Sequence, residues 1–152
     1  SISWPCSDAD YEVVMGNFVA AAKAQGVTHM AFGDLFLEDI RHYRQERLAG
    51  TGIEPLFPLW GKPTDELSRD MVDQGIKAII TCVDPKQLDS NFAGQYYDRD
   101  LLARLPEGVD PCGENGEFHS FVFDGPMFVA PVAIKPGPIV ERDGFVFADV
   151  LP

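Results

Sequence analysis

Val27-Thr28-His29-Met30-Ala31-Phe32-Gly33-Asp34 is the stretch on which the fold of this chain turns. Six mostly apolar residues read as a short buried strand, and Gly33-Asp34 ends it. Upstream, Ser7 and Asp10 stand three apart in the manner of a capping box. Tyr11, Val14, Phe18 and Ala21/Ala22 recur at helical spacing until Gly26, which predicts a helix over about 8–25. Downstream, Phe36, Ile40, Tyr43 and Arg47/Leu48 form one face of a second helix, and Glu38, Arg41, Arg44 and Gln45 form another. Gly50 and Gly52 end it, and Ile53 to Trp60 is extended, punctuated by Pro55 and Pro58. Helix, strand, helix, strand predicts a parallel sheet with crossover helices. Two strands are too few to make a covered parallel sheet. The remaining strands are expected upstream of Ser1, and a chain that opens on Ser rather than Met is expected to be a fragment, a processed form or a trimmed one.

From Gly61 the pattern changes. Thr64 is placed to cap a short helix carrying Leu67, Met71 and Val72, with Gly75 as its stop. Ile76 to Val83 reads as a strand, and 84–117 is turn-rich with one short helix near 98–104. Phe118–Phe123, Phe128–Ile134 and Phe145–Val150 read as strands separated by Asp124-Gly125-Pro126 and Pro136-Gly137-Pro138. A boundary near Trp60 therefore splits the chain into 1–60 and 61–152. No repeat, low-complexity tract or linker interrupts either part.

With 152 residues the chain is long enough to bury roughly two thirds of its unfolded surface without staples. Its net charge of −12 argues against nucleic acid as a partner, because phosphate contacts need a basic face. A small phosphate held by local Arg or Lys stays open. No apolar run approaches the length of a membrane span, and the N-terminus carries no signal-peptide pattern. Cys6, Cys82 and Cys112 are odd in number and widely spaced, which suits free thiols in a reducing compartment and hence a cytoplasmic location.

Three groups of residues are candidates for chemistry. Gly33-Asp34 sits at the carboxyl end of a parallel strand, where open α/β sheets bind ligands. Asp34 can accept from a ribose hydroxyl or hold a metal there, or simply end the strand and cap the next helix. Arg41 and Arg44, one helical turn apart, can reach one anion, or belong to a solvated face laced by Glu38–Arg41 and Glu38–His42 pairs. Cys112-Gly113-Glu114-Asn115-Gly116-Glu117-Phe118-His119-Ser120 is the densest segment. A strand beginning near Glu117 would put Glu117 and His119 on one face, able to share a proton or a substrate amine. The competing reading is an Asn115-Gly116 hairpin turn with a wet side. Cys112 and His119 alone are too few ligands for zinc, so no metal site is expected. Cys6 and Cys82 read as small buried residues, His29 as a core histidine, and Phe121, Phe123, Phe128, Phe145 and Phe147 as core.

The order of these pieces resembles a known family. Gly33-Asp34, Tyr43-Arg44 with Glu46, Pro58-Leu59-Trp60, Gly75-Ile76-Lys77-Ala78-Ile79-Ile80, Gly113-Glu114-Asn115-Gly116-Glu117-Phe118-His119 and Asp124-Gly125-Pro126-Met127-Phe128 follow one another as in the diphthine–ammonia ligases, a family of PP-loop ATP pyrophosphatases. The resemblance implies an α/β fold: a partial adenine nucleotide alpha-hydrolase-like (Rossmann-like) parallel sheet over 1–60, then a smaller α+β, family-specific substrate domain over 61–152. It implies ATP with Mg2+, a carboxylate activated as an acyl adenylate, and capture by ammonia as an amide. The acceptor would be protein-borne diphthine or a small molecule such as a corrinoid. By the same resemblance Gly33, Asp34 and Arg44 bind the nucleotide, with Arg44 easing charge on the phosphates. Glu114, Asn115, Gly116, Glu117 and His119 bind the acceptor, and Glu117 or His119 takes the proton from ammonia. Neither nucleic acid nor membrane is implied as a partner, and self-association is left open.

Two departures stand out. The family's Ser-Gly-Gly-Lys-Asp-Ser-like phosphate loop does not occur in this chain, so the chain by itself is not expected to adenylate a substrate. Asn115 and His119 replace the second residue and the final Glu of the usual Glu-Gly-Gly-Glu-Phe-Glu signature, and a neutral or cationic His119 suits an anionic acceptor better than Glu does. The rival expectation is a nucleotide- or acceptor-binding module without turnover. A hydrolase built on Cys112 and His119 lacks a nucleophile-elbow signature and ranks last.

Overall fold

The computed structural model describes residues 7–152. Cys6 lies outside the described residues, as do Ile2 and Trp4. The chain divides into two compact units, Ser1–Gly61 and Lys62–Pro152. Each has its own sheet, and together they make a mixed α/β protein.

The first unit runs α1 (Asp8–Ala24), β1 (His29–Ala31), α2 (Glu38–Leu48) and β2 (Glu54–Leu56). The Ser7 hydroxyl accepts from the Asp10 N–H at 3.2 Å and donates to the Asp10 carboxylate at 2.6 Å, so α1 starts where its cap predicts. The strands are parallel, with His29 opposite Glu54 and Ala31 opposite Leu56. Bonds from Glu54 N to Thr28 O and from Phe32 N to Leu56 O, both 2.9 Å, extend the ladder.

Two expectations fail here. The inward stripe of α1 is Tyr11, Met15 and Val19, which with Met30, Phe32 and Leu48 lines a cavity of about 520 Å³. Phe18 points out and is 56% exposed. His29 is not a core histidine. In so short a strand only the middle residue, Met30, turns inward. The His29 ring is exposed, with Nδ1 2.8 Å from Thr28 Oγ1 and Nε2 3.6 Å from Glu54 Oε2.

The second unit runs α3 (Thr64–Asp73), β3 (Lys77–Val83), a 3-10 turn (Ser90–Phe92), β4 (Tyr96–Tyr97), α4 (Arg99–Arg104), β5 (Phe118–Asp124), β6 (Lys135–Arg142) and β7 (Phe145–Leu151). Thr64 is the first helical residue of α3 rather than its cap; Pro63 stands at the cap position. β3 is the centre of an antiparallel sheet. β5 pairs along it from Lys77–Asp124 to Val83–Phe118, β4 pairs with Ala78 and Ile79, and β7 pairs with Cys82 and Val83. β6 joins only β7. Ile79, Ile80 and Val83 are fully buried, which is why this stretch reads as an unbroken apolar run rather than an alternation. Ile80 and Val83 enter a core with Leu88, Leu101, Phe118 and Val146.

The end of this unit departs from expectation. Phe128–Ile134 forms no strand, and Pro136-Gly137-Pro138 is not a turn but part of β6. Proline is tolerated there because β6 is an edge strand and its register slips between Pro136 and Ile139. Phe121 and Phe145 are exposed rather than core, and Phe123, Phe128 and Phe147 are only half-buried. Among the described residues, no helix is long and apolar enough to cross a membrane.

Candidate functional site

In the first unit, Gly33 follows β1, and a side chain placed on it would meet nothing within 4 Å. The backbone there is open to close approach. Asp34 and Arg44, both expected at the nucleotide but not as a pair, come together: Arg44 Nε lies 3.6 Å from Asp34 Oδ2. That is an ion pair but too long for a hydrogen bond. Both atoms are buried, and neither has a hydrogen-bond partner. Leaving a buried polar atom unsatisfied costs about 1–3 kcal/mol, so such a pair is suited to a ligand that supplies a donor to one and an acceptor to the other.

The Arg44 guanidinium lies 5.0 Å over the Phe32 ring. Phe32 stacks on Phe57 at 5.6 Å, and Phe57 meets Trp60 edge-on at 6.0 Å. Arg41 sits on the far part of this aromatic ledge, 4.5 Å from Trp60 and 5.3 Å from Phe57. The expected Glu38–Arg41 and Glu38–His42 pairs do not form; His42 pairs with Glu46 at 3.2 Å, and Arg47 pairs with Glu12.

In the second unit the segment from Asp110 to His119 is a hydrogen-bonded turn followed by the start of a strand. Gly113 and Gly116 have φ of +70° and +83°, the left-handed region that favours glycine. A Cβ on Gly113 would stand 2.8 Å from the Phe118 carbonyl. Two buried carboxylates then gather the backbone N–H groups. Asp110 accepts from Glu114 N at 2.8 Å. Glu117, 2% exposed, accepts from Asp110 N at 2.9 Å on one oxygen and from Asn115 N at 3.0 Å on the other. The Asn115 side-chain amide adds a third bond at 3.0 Å. The loop is also moored outward, by Tyr97 OH to Pro111 O at 2.6 Å and Asp84 N to Glu117 O at 3.0 Å.

This geometry separates residues the sequence placed together. β5 begins at Phe118, so the alternation does not reach Glu117. Glu117 is buried and faces its own loop, whereas His119 is exposed. Nor is Asn115-Gly116 the turn of a hairpin, since the element before it is α4. Glu114 and Gly116 stand in the same turn. His119 lies opposite Cys82 where β3 bulges, and Thr81 Oγ1 bonds its carbonyl at 3.3 Å. His119 helps line a shallow pocket of about 350 Å³ with Thr81, Ser120, Phe147 and Asp149. Asp110 is the site residue sequence reasoning missed; its signal was an Asp opening a Pro-Cys-Gly turn.

Cys112 donates to Thr64 O at 3.5 Å. Burial, aided by the Asp110 and Glu114 charges, pushes its thiol up to about 12. Burial thus makes Cys112 a poor nucleophile, which counts against the Cys112–His119 hydrolase. Cys82 is buried, and burial raises its thiol too. Among the described residues, no three His, Cys, Asp or Glu side chains gather to hold a metal.

A family model described as the diphthamide synthase C-terminal domain matches residues 63–146, more than half of the chain. The chain belongs to the diphthine–ammonia ligase family. The diphthine–ammonia ligases of Homo sapiens and Bos taurus are each 30% identical to it over 120 residues, covering 75% of this chain and 45% of theirs. The Schizosaccharomyces pombe diphthine–ammonia ligase is 32% identical over 96 residues, covering 60% of this chain and 16% of its own. The matched part of the chain thus spans less than half the length of these family members. The family match lies in the second unit and includes the whole Asp110–His119 turn.

Proposed function

We propose that this chain is part of an ATP-dependent amide ligase that forms an acyl adenylate and amidates it with ammonia. The observation that carries the reading is the family match over 63–146, which contains the carboxylate-pinned turn of Glu114, Asn115, Gly116 and Glu117. The open backbone at Gly33 and the unsatisfied polar atoms of Asp34 and Arg44 support a nucleotide in the first unit.

In this reading ATP is a substrate. The acceptor carboxylate attacks its α-phosphorus, pyrophosphate leaves, and ammonia then attacks the acyl carbon and expels AMP. Asp34 accepts from a nucleotide hydroxyl, and Arg44 donates to phosphate oxygen. One proton leaves the attacking ammonia. Both Glu117 oxygens already accept N–H groups, which supports Glu117 as holder of the turn and leaves the proton to His119 in this reading. His119 in the position of the usual Glu favours an anionic acceptor. The described residues gather no set of ligands for Mg2+, and no step is routed through it.

The test is a 31P NMR assay of the full-length protein with ATP, ammonium and candidate carboxylate acceptors. AMP and pyrophosphate should appear only when acceptor is present, and Asp34→Asn and Arg44→Gln should each slow their appearance. His119→Glu should shift preference away from anionic acceptors. Release of ADP and phosphate would overturn the reading. Nucleotide binding without turnover, with AMP held as tightly as ATP, would leave the non-catalytic binding module.

A further inference from the structure

The chain has seven arginines, in a protein whose net charge is −12. Six make an ion pair or hydrogen bond within the protein: Arg44, Arg47, Arg69, Arg99 and Arg142 to carboxylates, and Arg104 to Gln95 and the Asp100 carbonyl. The Arg41 side chain alone has neither among the described residues. Carboxylates outnumber cations two to one, and Glu38 lies one turn away on the same helix, so the lack of a partner is not for want of candidates.

What holds Arg41 is the ledge of Trp60 and Phe57, at 4.5 and 5.3 Å. Stacking occupies the face of a guanidinium and leaves its five in-plane N–H donors unspent. It also removes much of the rotamer freedom that an arginine otherwise loses on binding. A half-buried guanidinium held over aromatic rings, with no carboxylate or carbonyl on its side-chain donors among the described residues, is suited to bidentate recognition of an oxyanion. Arg44, one turn along, rests on Phe32 of the same ledge but faces the Asp34 carboxylate, so the uncompensated positive charge is that of Arg41.

We infer that Arg41, clamped on Trp60 and Phe57, is an oxyanion-binding residue that takes a phosphate or a carboxylate of a ligand of this protein. The site itself is independent of the ligase reading, which bears only on whether the oxyanion arrives on a nucleotide or on an acceptor. Lysine would keep the charge but lose the planar fork and the stacked face.

Trp60 reports on the site directly. Trp4 and Trp60 are the two tryptophans of the chain, so a Trp4→Phe variant of this 152-residue chain isolates the Trp60 signal. The probes are pyrophosphate, AMP and succinate, each titrated at constant ionic strength. Saturable quenching or enhancement is expected with at least one of them. Arg41→Gln should weaken that binding by at least about tenfold, the loss of one charge-assisted hydrogen bond, and Arg41→Lys should fall between. Far-UV circular dichroism establishes that each variant is folded; if Arg41→Gln is not, Arg41→Lys decides. Binding that survives within about twofold in the folded variant overturns the inference, as does no saturable signal with any of the three probes. Pyrophosphate or succinate binding that needs Arg41, with no AMP binding, supports Arg41 and counts against the nucleotide reading. AMP binding indifferent to Arg41 does the reverse.

Discussion

Replacing Glu117 tests whether its carboxylate organises the turn. In Glu117→Ala the Asp110 N–H loses its acceptor in a buried site and the Asn115 N–H loses its acceptor in a part-buried one. Each unsatisfied N–H costs about 1–3 kcal/mol, so the variant should lose about 2–6 kcal/mol. Glu117→Gln keeps one oxygen and sets an NH2 against one donor, so it should lose about 1–3 kcal/mol. Against a total stability of about 5–15 kcal/mol, either loss is measurable and the larger one threatens folding. Urea unfolding followed by far-UV circular dichroism gives the total, and amide hydrogen exchange gives the location. In a folded Glu117→Gln, the Asp110 and Asn115 amides should exchange at least about fivefold faster. The reasoning is refuted if Glu117→Ala unfolds within about 0.5 kcal/mol of the parent, the range of a neutral surface change, and the two amides keep their protection.

Gly113→Ala combines a positive φ with a 2.8 Å approach to a backbone carbonyl, so it should cost about 2 kcal/mol, read as a lowered urea midpoint. The Cys112 thiol ionises near 9.0 when unfolded and is held up to about 12 when folded, so its thiolate fraction at pH 8 falls about a thousandfold and iodoacetamide should alkylate it correspondingly slowly. Between those values the unfolded state binds fewer protons than the folded one. The stability owed to Cys112 is therefore complete below pH 9 and lost as pH rises toward 12, and Cys112→Ser should flatten the fall between pH 8 and 10.5.

The elements legible in the sequence are those whose signals are local. Ser7 caps α1, the apolar run into Val83 is the central strand, and the alternation around β1 and β2 yields a parallel pair. The Asp34–Arg44 pair was not legible: helix spacing joined Arg44 to Arg41, and only the fold of the loop after β1 brings Asp34 to Arg44. What escaped depends on partners distant in sequence. Whether Pro136-Gly137-Pro138 turns or extends is decided by β7, which accepts it as an irregular edge. Phe121 and Phe145 are as apolar as Phe118, yet only Phe118 meets the core under β3. Glutamate is a surface residue by composition, and nothing in Glu117 itself reveals that a turn seven residues long aims its N–H groups at it.

The position of β3 between β5 and β7 has a consequence for synthesis on the ribosome. Val83 must wait for Val146, 63 residues later, before that end of its second edge is covered. At about 5–20 residues per second the delay is about 3–13 s. Throughout it Lys77–Val83 presents an apolar, β-prone segment without proline. β4 arrives sooner but shields only Ala78 and Ile79. The nascent second unit is therefore a client for whatever binds emerging chains, and a ribosome stalled before Phe145 would leave a strand able to pair with the wrong neighbour.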